Sequence, residues 1–324
     1  MNYFTAELHC HTLHSDGTFT LEQLCQSAKN AELDIIASTD HNTQSAQFEL
    51  TASLQTKTLP VICGIEWTTY FGHMLVLGAK EFVDWRYVTP ETIDEYIAKV
   101  KKAGGLVGLA HPFDLGSPMC TGGHWDFKVN DWSQVDYIEV WHEDNPSVKT
   151  PNLRALEFWT ELLDKSYHIA IVYGKDWHGI WEENMQDAYT LLGVEDDFIT
   201  PKNALKSIND GRTAITLGPK FIMQLSDENS VYYIGDTINK GKYKLSLLID
   251  ENARHKQWKK FNIVPQEVRL VGNGGTVLWQ SDYKGGEIKT ELQLNSGWIR
   301  SELWGIANGQ KCSLAITGAI YINN

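Results

Sequence analysis

Residues 1–213 alternate short apolar runs with amphipathic stretches, and this alternation restricts the possible folds more than any other feature of the sequence. The apolar runs, each of strand length, are residues 3–9, 34–38, 61–65, 74–77, 106–110, 137–141 and 169–173. Helical periodicity predicts helices over residues 20–33, 90–103, 152–166 and 201–209. Repeated alternation of strands and helices favours an α/β fold with a mostly parallel sheet, which can close into a distorted barrel.

The pattern changes near Gly211. From there to Asn324, strand-like segments alternate with turn residues such as those at 272–275 and 285–286, and helical periodicity is weak. About seven or eight short strands in this part fit a small β-sandwich. We therefore expect two closely joined domains, residues 1–213 and residues 214–324.

The chain is acidic, with 41 Asp and Glu against 28 Lys and Arg and a formal net charge of −13. Long-range repulsion therefore disfavours a nucleic-acid polymer or an anionic membrane as a partner. A small phosphorylated substrate is compatible with this charge, because bound metal ions reverse the sign of the charge inside a pocket.

The sequence predicts neither a signal peptide nor a membrane span. It has no basic segment followed by an apolar stretch at its start, and no window of ~18 uninterrupted apolar residues. The five cysteines are scattered and form no Cys-x-x-Cys pair, which is typical of reduced thiols. We therefore expect a cytoplasmic protein.

Histidines and carboxylates recur at the ends of the predicted strands. Six of the eleven histidines and three acidic residues lie there: His9, His11, Asp16, His41, Glu66, His73, His111, Asp176 and His178. The spacing of two places His9 and His11 on one face of a strand and Cys10 on the other. In a parallel α/β barrel all strand carboxyl ends open onto the same end, so these nine side chains should converge. A convergent set of histidines and carboxylates without cysteine suits Zn²⁺, Mn²⁺ or Fe²⁺.

These motifs, in this order, resemble those of the polymerase-and-histidinol-phosphatase (PHP) superfamily. The similar motifs are His-x-His at residue 9, Ser-Asp-Gly at 15, Thr-Asp-His at 39, Gly-x-Glu at 64, His-Pro at 111 and Gly-x-Asp-x-His at 174. In the C-terminal part, Gly-Arg-Thr at 211–213, Gly-Pro at 218–219, Gly-Asp at 235–236 and Ala-Ile-Tyr-Ile at 319–322 are similar to the accessory β-domain of the carbaryl-hydrolase-like branch. A few members of that branch open esters or carbamates.

The resemblance implies a distorted (β/α)7 barrel that holds two or three divalent transition metals. The implied ligands are His9, His11, Glu66 and Asp176 for the first metal, Asp16, His41 and His178 for the second, and Glu66, His73 and His111 for the third. Glu66 would bridge two ions with its two oxygens. The chain departs from the family at Lys175 and Trp177, where small residues are usual, and at residues 141–144, where an Asn-Gly pair is common. These departures bear on which substrate binds and not on which residues hold metal.

Further residues are candidates for contact with the substrate or the ligands. His142 is either the acid that protonates a leaving group or a part of the pocket wall. Asp40 is expected to orient His41 or a bound water rather than to ligate a metal directly. Lys175 and Arg154 are either holders of an anion or ordinary solvated charges.

Residues close to the motif ends could shape the pocket. His14 is expected to contact the substrate or to support a ligand. Most of Trp67, Trp141, Trp177 and Trp181 should be packing residues, and one or two should line the mouth of the pocket. The glycine content of residues 116–123 is typical of a movable cover.

The sequence favours a metal-dependent hydrolase. We expect a phosphoesterase that acts on a small-molecule phosphate ester through a hydroxide bridging two metal ions. The alternative within the same class is a hydrolase of carboxylic esters, carbamates or amides. An alternative of another class is a metal-containing module that only binds or regulates.

Overall fold

The computed structural model describes residues 1–50, 59–116, 118, 122–180, 186–254 and 259–323. In this part the protein has a mixed α/β structure with few helices. The α-helices are α1 (Leu21–Asn30), α2 (Ile93–Lys102), α3 (Thr150–Asp164) and α4 (Pro201–Asn209). None of the described helices is long and apolar enough to cross a lipid bilayer.

The strands of the N-terminal part each coincide with a buried apolar run or directly follow one. They are β1 (Asn2–Glu7), β2 (Ile35–Ser38), β3 (Val61–Thr69), β4 (Gly72–Leu77), β5 (Leu106–Ala110), β6 (Tyr137–His142), β7 (Ala170–Gly174), β8 (Tyr189–Val194) and β9 (Thr213–Thr216). The strands of the C-terminal part are β10 (Lys220–Ser226), β11 (Val231–Tyr233), β12 (Thr237–Asn239), β13 (Gly241–Asp250), β14 (Val264–Gly272), β15 (Thr276–Asp282), β16 (Glu287–Leu294), β17 (Gly297–Ala307), β18 (Gln310–Thr317) and β19 (Ile320–Asn323).

Local sequence fixes where the helices begin. Before α1, the Thr20 hydroxyl accepts a hydrogen bond from the Gln23 N–H, and the Gln23 side chain accepts one from the Thr20 N–H. This reciprocal cap satisfies two N–H groups that have no partner inside the helix. The same arrangement joins Thr200 and Asn203 before α4, where Pro201 occupies the first turn. Both helices bury an apolar face, which for α1 includes Leu21 and Leu24.

The sheet of the N-terminal part is mixed rather than mostly parallel. Its order is β9-β8-β1-β2-β3-β4-β5-β6-β7. The pairs β1–β2, β2–β3, β5–β6 and β6–β7 are parallel, whereas β3–β4, β4–β5, β1–β8 and β8–β9 are antiparallel. The reversal at β4 has a simple cause, because only Tyr70 and Phe71 separate β3 from β4. A connection of two residues can form a hairpin but cannot form a parallel crossover.

The segment that follows β1 and the segment that follows β7 meet, so the first and last strands of the run from β1 to β7 are linked. Cys10 and Trp177 form a parallel bridge, in which the His11 N–H donates to the Trp177 carbonyl at 2.9 Å and the Trp177 N–H donates to the His9 carbonyl at 3.0 Å. These bonds bring the segment after β1 against the segment after β7. Cys10 itself packs in an apolar cluster with Phe19 and Trp177.

The C-terminal strands continue the main sheet and add a second one. β18 pairs with β9, and β17, β19, β12, β14 and β15 follow in the same sheet, while β11, β10, β13 and β16 form a separate four-stranded sheet. Residues of both sheets, such as Met223 on β10 and Leu303 on β17, belong to one apolar cluster. The expected boundary between residues 213 and 214 falls inside β9, so the two parts of the chain share a strand pair.

Candidate metal centre

The structure brings all nine candidate ligands together at one end of the N-terminal sheet. Potential ligand atoms lie within 4.8 Å of one another in each of three groups: His9, His11, Glu66 and Asp176; His11, Asp16, His41 and His178; and Glu66, His73 and His111. Most of these residues are at or beyond strand carboxyl ends. His73 stands at the start of β4, which lies at the same end because β4 runs antiparallel to β3. The groups match the three expected sets, with His11 added to the second.

Glu66 lies at the centre of this arrangement and is completely buried. Its Oε2 is 3.3 Å from His9 Nε2, 3.5 Å from His11 Nε2 and 2.7 Å from His41 Nδ1. Its Oε1 is 3.0 Å from His73 Nδ1 and 3.3 Å from His111 Nε2. The two oxygens therefore face different groups of histidines, as a bridging carboxylate must.

Asp176 has the same two-sided geometry. Its Oδ1 is 2.7 Å from His11 Nε2 and 3.2 Å from His9 Nε2, whereas its Oδ2 is 3.5 Å from His142 Nε2. The backbone of Asp176 has a φ of +54°, in the left-handed region that non-glycine residues rarely adopt. His111 also has a positive φ, of +29°. Strain of this kind persists where the surroundings hold a residue in place, as functional sites often do.

The donor set fits divalent cations. Among the described residues, half of the fourteen buried side-chain atoms without a hydrogen-bond partner are in this one place: His9 Nε2, His11 Nδ1 and Nε2, Glu66 Oε2, His111 Nδ1, His142 Nε2 and Asp176 Oδ1. Burying an unpaired polar atom is costly unless a ligand satisfies it. Imidazole and carboxylate donors without thiolate suit Zn²⁺, Mn²⁺ or Fe²⁺.

The electrostatics of the cluster are dominated by its imidazoles. Burial by itself would raise the pKa of Glu66, but the charge of His9 and the close imidazoles of His111 and His41 hold that pKa well below its usual range. Hydrogen bonds with His178 and His41 likewise lower the pKa of Asp16. The carboxylates therefore stay ionised and available to cations.

Glu139 supports two candidate ligands and was not singled out in the sequence. Its Oε1 is 2.9 Å from His9 Nδ1, and its Oε2 accepts a hydrogen bond from the His111 N–H at 3.0 Å. The first contact turns His9 Nε2 towards Glu66 and Asp176. A carboxylate inside the apolar run 137–141 is the sequence signal that could have identified it. Such outer partners fix the orientation of ligating histidines.

Gly174 and Glu7 complete this support. A Cβ at Gly174 would lie 2.0 Å from Glu139 Oε1, so only glycine leaves room for the carboxylate. Glu7 Oε1 accepts hydrogen bonds from the N–H groups of His9 and Lys175, both at 2.9 Å. Burial raises the pKa of Glu7 to about 8. Glu7 thus ties the segment after β1 to the segment after β7.

His142 lies beside the cluster and is paired with Asp114. His142 Nδ1 is 2.7 Å from Asp114 Oδ2, its ring centroid is 4.5 Å from that of His111, and only 4% of the residue is exposed. Burial lowers the pKa of His142, but the neighbouring carboxylates of Asp114 and Asp176 raise it to about 10. His142 also forms a fourth possible ligand group with His111 and Asp176. Asp114 was not among the candidates from the sequence.

Asp40 and Lys175 have partners away from the ligand groups. Asp40 accepts hydrogen bonds from the Thr12 N–H at 2.7 Å, the Ser15 hydroxyl at 2.9 Å and the Ser38 hydroxyl at 3.1 Å. It holds the loop between His11 and Asp16, and none of its hydrogen bonds within the described part of the chain reaches His41. Lys175 Nζ is 2.7 Å from Asp187 Oδ2 and lies over the Trp177 ring.

His14 and Arg154 lie outside the ligand groups. His14 Nδ1 is 2.7 Å from Ser45 Oγ, and His14 Nε2 is 2.8 Å from Glu49 Oε1. The Arg154 guanidinium carbon is 4.7 Å from the centroid of the Phe113 ring.

The tryptophans near the motif ends are core residues rather than pocket lining. Trp67, Trp141 and Trp177 are each at most 2% exposed. The expectation that one or two of them line the mouth is therefore wrong for these three, because each packs inside an apolar cluster. Trp181, and residues 117 and 119–121 of the expected cover, lie outside the described residues.

Part of the sequence matches a known family of protein domains. Residues 7–107 match the family model of the PHP domain. An uncharacterised protein of Methanocaldococcus jannaschii is 28% identical over 204 residues, which are 61% of this chain and 76% of that protein.

Two solved structures extend the comparison. A two-domain protein from Bacteroides vulgatus, containing a predicted PHP-like metal-dependent phosphoesterase, is 14% identical and superposes over 98% of this chain and 95% of its own with a TM-score of 0.52. A lesion-specific endonuclease from Pyrococcus furiosus is 16% identical over 64% of this chain and 56% of its own, with a TM-score of 0.43. The chain thus carries a PHP domain match over residues 7–107, within a fold similar to that of the two-domain Bacteroides protein.

Proposed function

We propose that this protein is a metal-dependent phosphoesterase that hydrolyses a small-molecule phosphate ester. The observation that carries the proposal is the pair of two-sided carboxylates, Glu66 and Asp176. Both oxygens of Glu66 face groups of histidines, whereas Asp176 faces His9 and His11 with one oxygen and His142 with the other. This arrangement suits two or three divalent ions held close together. A binding module would not need buried carboxylates that each serve two neighbouring ion positions.

The nine ligands would hold Zn²⁺, Mn²⁺ or Fe²⁺ in the three groups described above. When bound, neighbouring ions of this kind lower the pKa of water and neutralise the charge of a phosphoryl group. The protein also contributes carboxylates that position the ligands. Glu139 fixes His9, Asp40 fixes the loop between His11 and Asp16, and both carboxylates are buried.

His142 is the proposed acid for the leaving group. Asp114 accepts from Nδ1, which leaves Nε2 as the atom that carries a proton towards the cluster. Nε2 is buried and lies 3.5 Å from Asp176 Oδ2, so it faces the ligand side of the pocket. A departing alkoxide oxygen beside Asp176 would therefore be within reach of this proton.

Asp40 and Lys175 are proposed as positioning residues. Asp40 holds the backbone of Thr12, next to His11. The Lys175 N–H donates to Glu7 and its ammonium group pairs with Asp187, so these two contacts anchor the backbone directly before Asp176. The buried and paired ammonium group of Lys175 fits neither of the two alternatives for it, a holder of an anion or an ordinary solvated charge.

We assign residues 1–213 to a distorted seven-stranded barrel and residues 214–324 to an accessory β-sandwich of the carbaryl-hydrolase-like branch. The bridge between Cys10 and Trp177 and the apolar cluster shared by the two C-terminal sheets support this assignment. The similarity to that branch also favours a second candidate function, hydrolysis of a carboxylic ester or carbamate.

A substrate panel separates the two candidates. Purified protein reloaded with Mn²⁺ or Zn²⁺ should hydrolyse phosphate monoesters faster than carboxylic esters and carbamates of the same alcohols. Glu66→Gln should abolish this activity, whereas Glu291→Gln, an exposed change on β16, should keep it. Hydrolysis of carboxylic esters or carbamates without hydrolysis of phosphate monoesters would reject the phosphoesterase and support the second candidate function.

A further inference from the structure

Two residues of the C-terminal part contact the segment that leads into β8. Asn308, between β17 and β18, donates from Nδ2 to Gln186 Oε1 at 3.1 Å. Arg254 follows β13, and its guanidinium carbon is 4.1 Å from the centroid of the Tyr189 ring. Gln186 directly precedes Asp187, and Tyr189 begins β8. Asp187 therefore lies between two points of contact with the C-terminal part.

Arg254 is buried and has a strained backbone. Only 8% of the residue is exposed, and its φ is +46°, in the left-handed region. Burying a guanidinium charge is costly unless an opposite charge lies near. Burial raises the pKa of Asp187, and the positive charges of Lys175 and Arg254 oppose that rise. The C-terminal part thus places a cation within electrostatic reach of Asp187.

Asp187 in turn holds the side chain of Lys175. Asp187 Oδ2 is 2.7 Å from Lys175 Nζ, and the two side chains are only 14% and 7% exposed. The ammonium group also lies 4.3 Å from the centroid of the Trp177 ring, while the Lys175 N–H donates to Glu7 at 2.9 Å. Charges that water reaches poorly are screened little, so the loss of one charge disturbs its partner.

Lys175 directly precedes the candidate ligand Asp176, whose φ of +54° is strained. On the other side of Asp176, the Trp177 N–H donates to the His9 carbonyl at 3.0 Å. A strained conformation of this kind persists only where the surrounding contacts hold it. The contacts before Asp176 include the Lys175 side chain, which is held by Asp187.

We propose that Arg254 of the C-terminal part is a positioning residue for the metal centre. It stabilises the ion pair of Asp187 and Lys175, and this pair holds the backbone before Asp176 in the geometry that a metal ligand needs. The inference rests on the proposed metal centre and gives the C-terminal part a role in metal affinity. If the same contacts only joined the two parts of the chain, their loss would lower stability and leave metal binding unchanged.

Calorimetric titration with Mn²⁺ tests the inference without requiring hydrolysis. Arg254→Gln and Asp187→Asn should each weaken Mn²⁺ binding by about tenfold or more, as the loss of residues that orient metal ligands does. Arg254→Lys keeps a positive charge and should recover most of the affinity. The matched control is Arg269→Gln, which removes another arginine of the C-terminal part, one that lies 4.4 Å from the centroid of the Trp304 ring. The control should bind Mn²⁺ like the wild-type protein.

Two further measurements separate positioning from general destabilisation. The visible absorption bands of bound Co²⁺ report the geometry of its ligands, so they should shift in Arg254→Gln and not in Arg269→Gln. The double variant Asp187→Asn/Arg254→Gln should bind Mn²⁺ no more weakly than Asp187→Asn alone, because both changes act through the same ion pair. Arg254→Gln and Arg254→Lys decide the question by themselves if Asp187→Asn does not fold.

The following results would overturn the inference. Wild-type Mn²⁺ affinity and an unchanged Co²⁺ spectrum in Arg254→Gln would reduce Arg254 to a contact between the two parts of the chain, even if the free energy of unfolding falls. Additive losses in the double variant would show two independent effects. A wild-type protein that binds no metal would reject both the metal centre and this inference. By contrast, the predicted losses of affinity in a protein that hydrolyses no phosphate ester would support the inference and reject the phosphoesterase.

Discussion

Asp114 and His142 form a pair beside the candidate ligands, at one of the places where the sequence departs from the motifs that it resembles. His142 stands where an Asn-Gly pair is common, and its Nδ1 is held by Asp114 at 2.7 Å. The imidazole is therefore fixed in orientation, with Nε2 on the side of Asp176. The proposed function gives this nitrogen the task of protonating the leaving group.

The variant His142→Ala tests this role. Hydrolysis of an alkyl phosphate should slow by about 10²–10⁴-fold, whereas hydrolysis of a nitrophenyl phosphate should change little, because nitrophenolate leaves without a proton. Steady-state rates on both substrates, together with metal content, provide the measurement. The comparison variant is His111→Ala, which should lose metal.

Each other outcome for His142→Ala has a distinct meaning. Equal losses on both substrates with full metal content would make His142 a part of the pocket wall. Loss of metal would make it a ligand in the group with His111 and Asp176. Either result contradicts the acid role.

Eight of the nine candidate ligands could be singled out from the sequence because they lie in short motifs near strand ends, and His73 because it begins a predicted strand. Glu139 could not be predicted so directly. It is 130 residues from His9 in sequence, and its role depends on a contact formed only in the folded sheet. Asp114 could not be predicted for the same reason, since its partner His142 follows 28 residues later.

At the scale of secondary structure, the packing of β6 against β7 positions the metal centre. Gly174 ends β7 and leaves space for the Glu139 carboxylate on β6, which in turn orients His9 and supports His111. The absence of a side chain at Gly174 therefore leaves room for the carboxylate that contacts two candidate ligands on other elements.

Gly174→Ala should disturb this arrangement. Its Cβ would meet Glu139 Oε1 at 2.0 Å, so overpacking should reduce the free energy of unfolding by about 1–3 kcal/mol and weaken metal binding. Denaturant unfolding of the metal-free protein and a metal titration measure the two effects. In the control Gly241→Ala on β13, the new Cβ would be 3.4 Å from Tyr243 Cε2, an ordinary contact, and little change is expected. Wild-type metal affinity in Gly174→Ala would contradict the role of Glu139.

Seven apolar runs in the sequence each overlap one of the strands β1 to β7, and the four helical patterns each overlap a helix. The direction of β4 was not predicted, because hydropathy does not report strand direction and only the length of the turn at residues 70–71 reveals it. β8 lay outside the predicted runs. It is nevertheless completely buried and pairs antiparallel with β1, a long-range contact that no local pattern reports.

At the scale of the whole molecule, the C-terminal strands are attached to the N-terminal part through both backbone and side chains. β9 pairs with β18, the Trp298 indole N–H donates to Asp164 Oδ1 at 2.9 Å, and Arg300 donates to the Thr160 hydroxyl at 2.8 Å. Asp164 also accepts from the Gly274 N–H at 3.0 Å. The sequence predicted two closely joined parts, but a boundary drawn from composition could not reveal that they share a sheet.

We propose that histidines and carboxylates at or near the ends of six strands hold a cluster of metal ions. The most direct test is elemental analysis of the purified protein after reloading with Mn²⁺, Zn²⁺ or Fe²⁺ and removal of excess metal. We expect about two to three equivalents of metal per chain, as in multinuclear hydrolase sites. Glu66→Gln should lose more metal than His73→Ala, because Glu66 faces two groups and His73 faces one. Less than about one equivalent in the wild-type protein, or full metal content in Glu66→Gln, would contradict the claim.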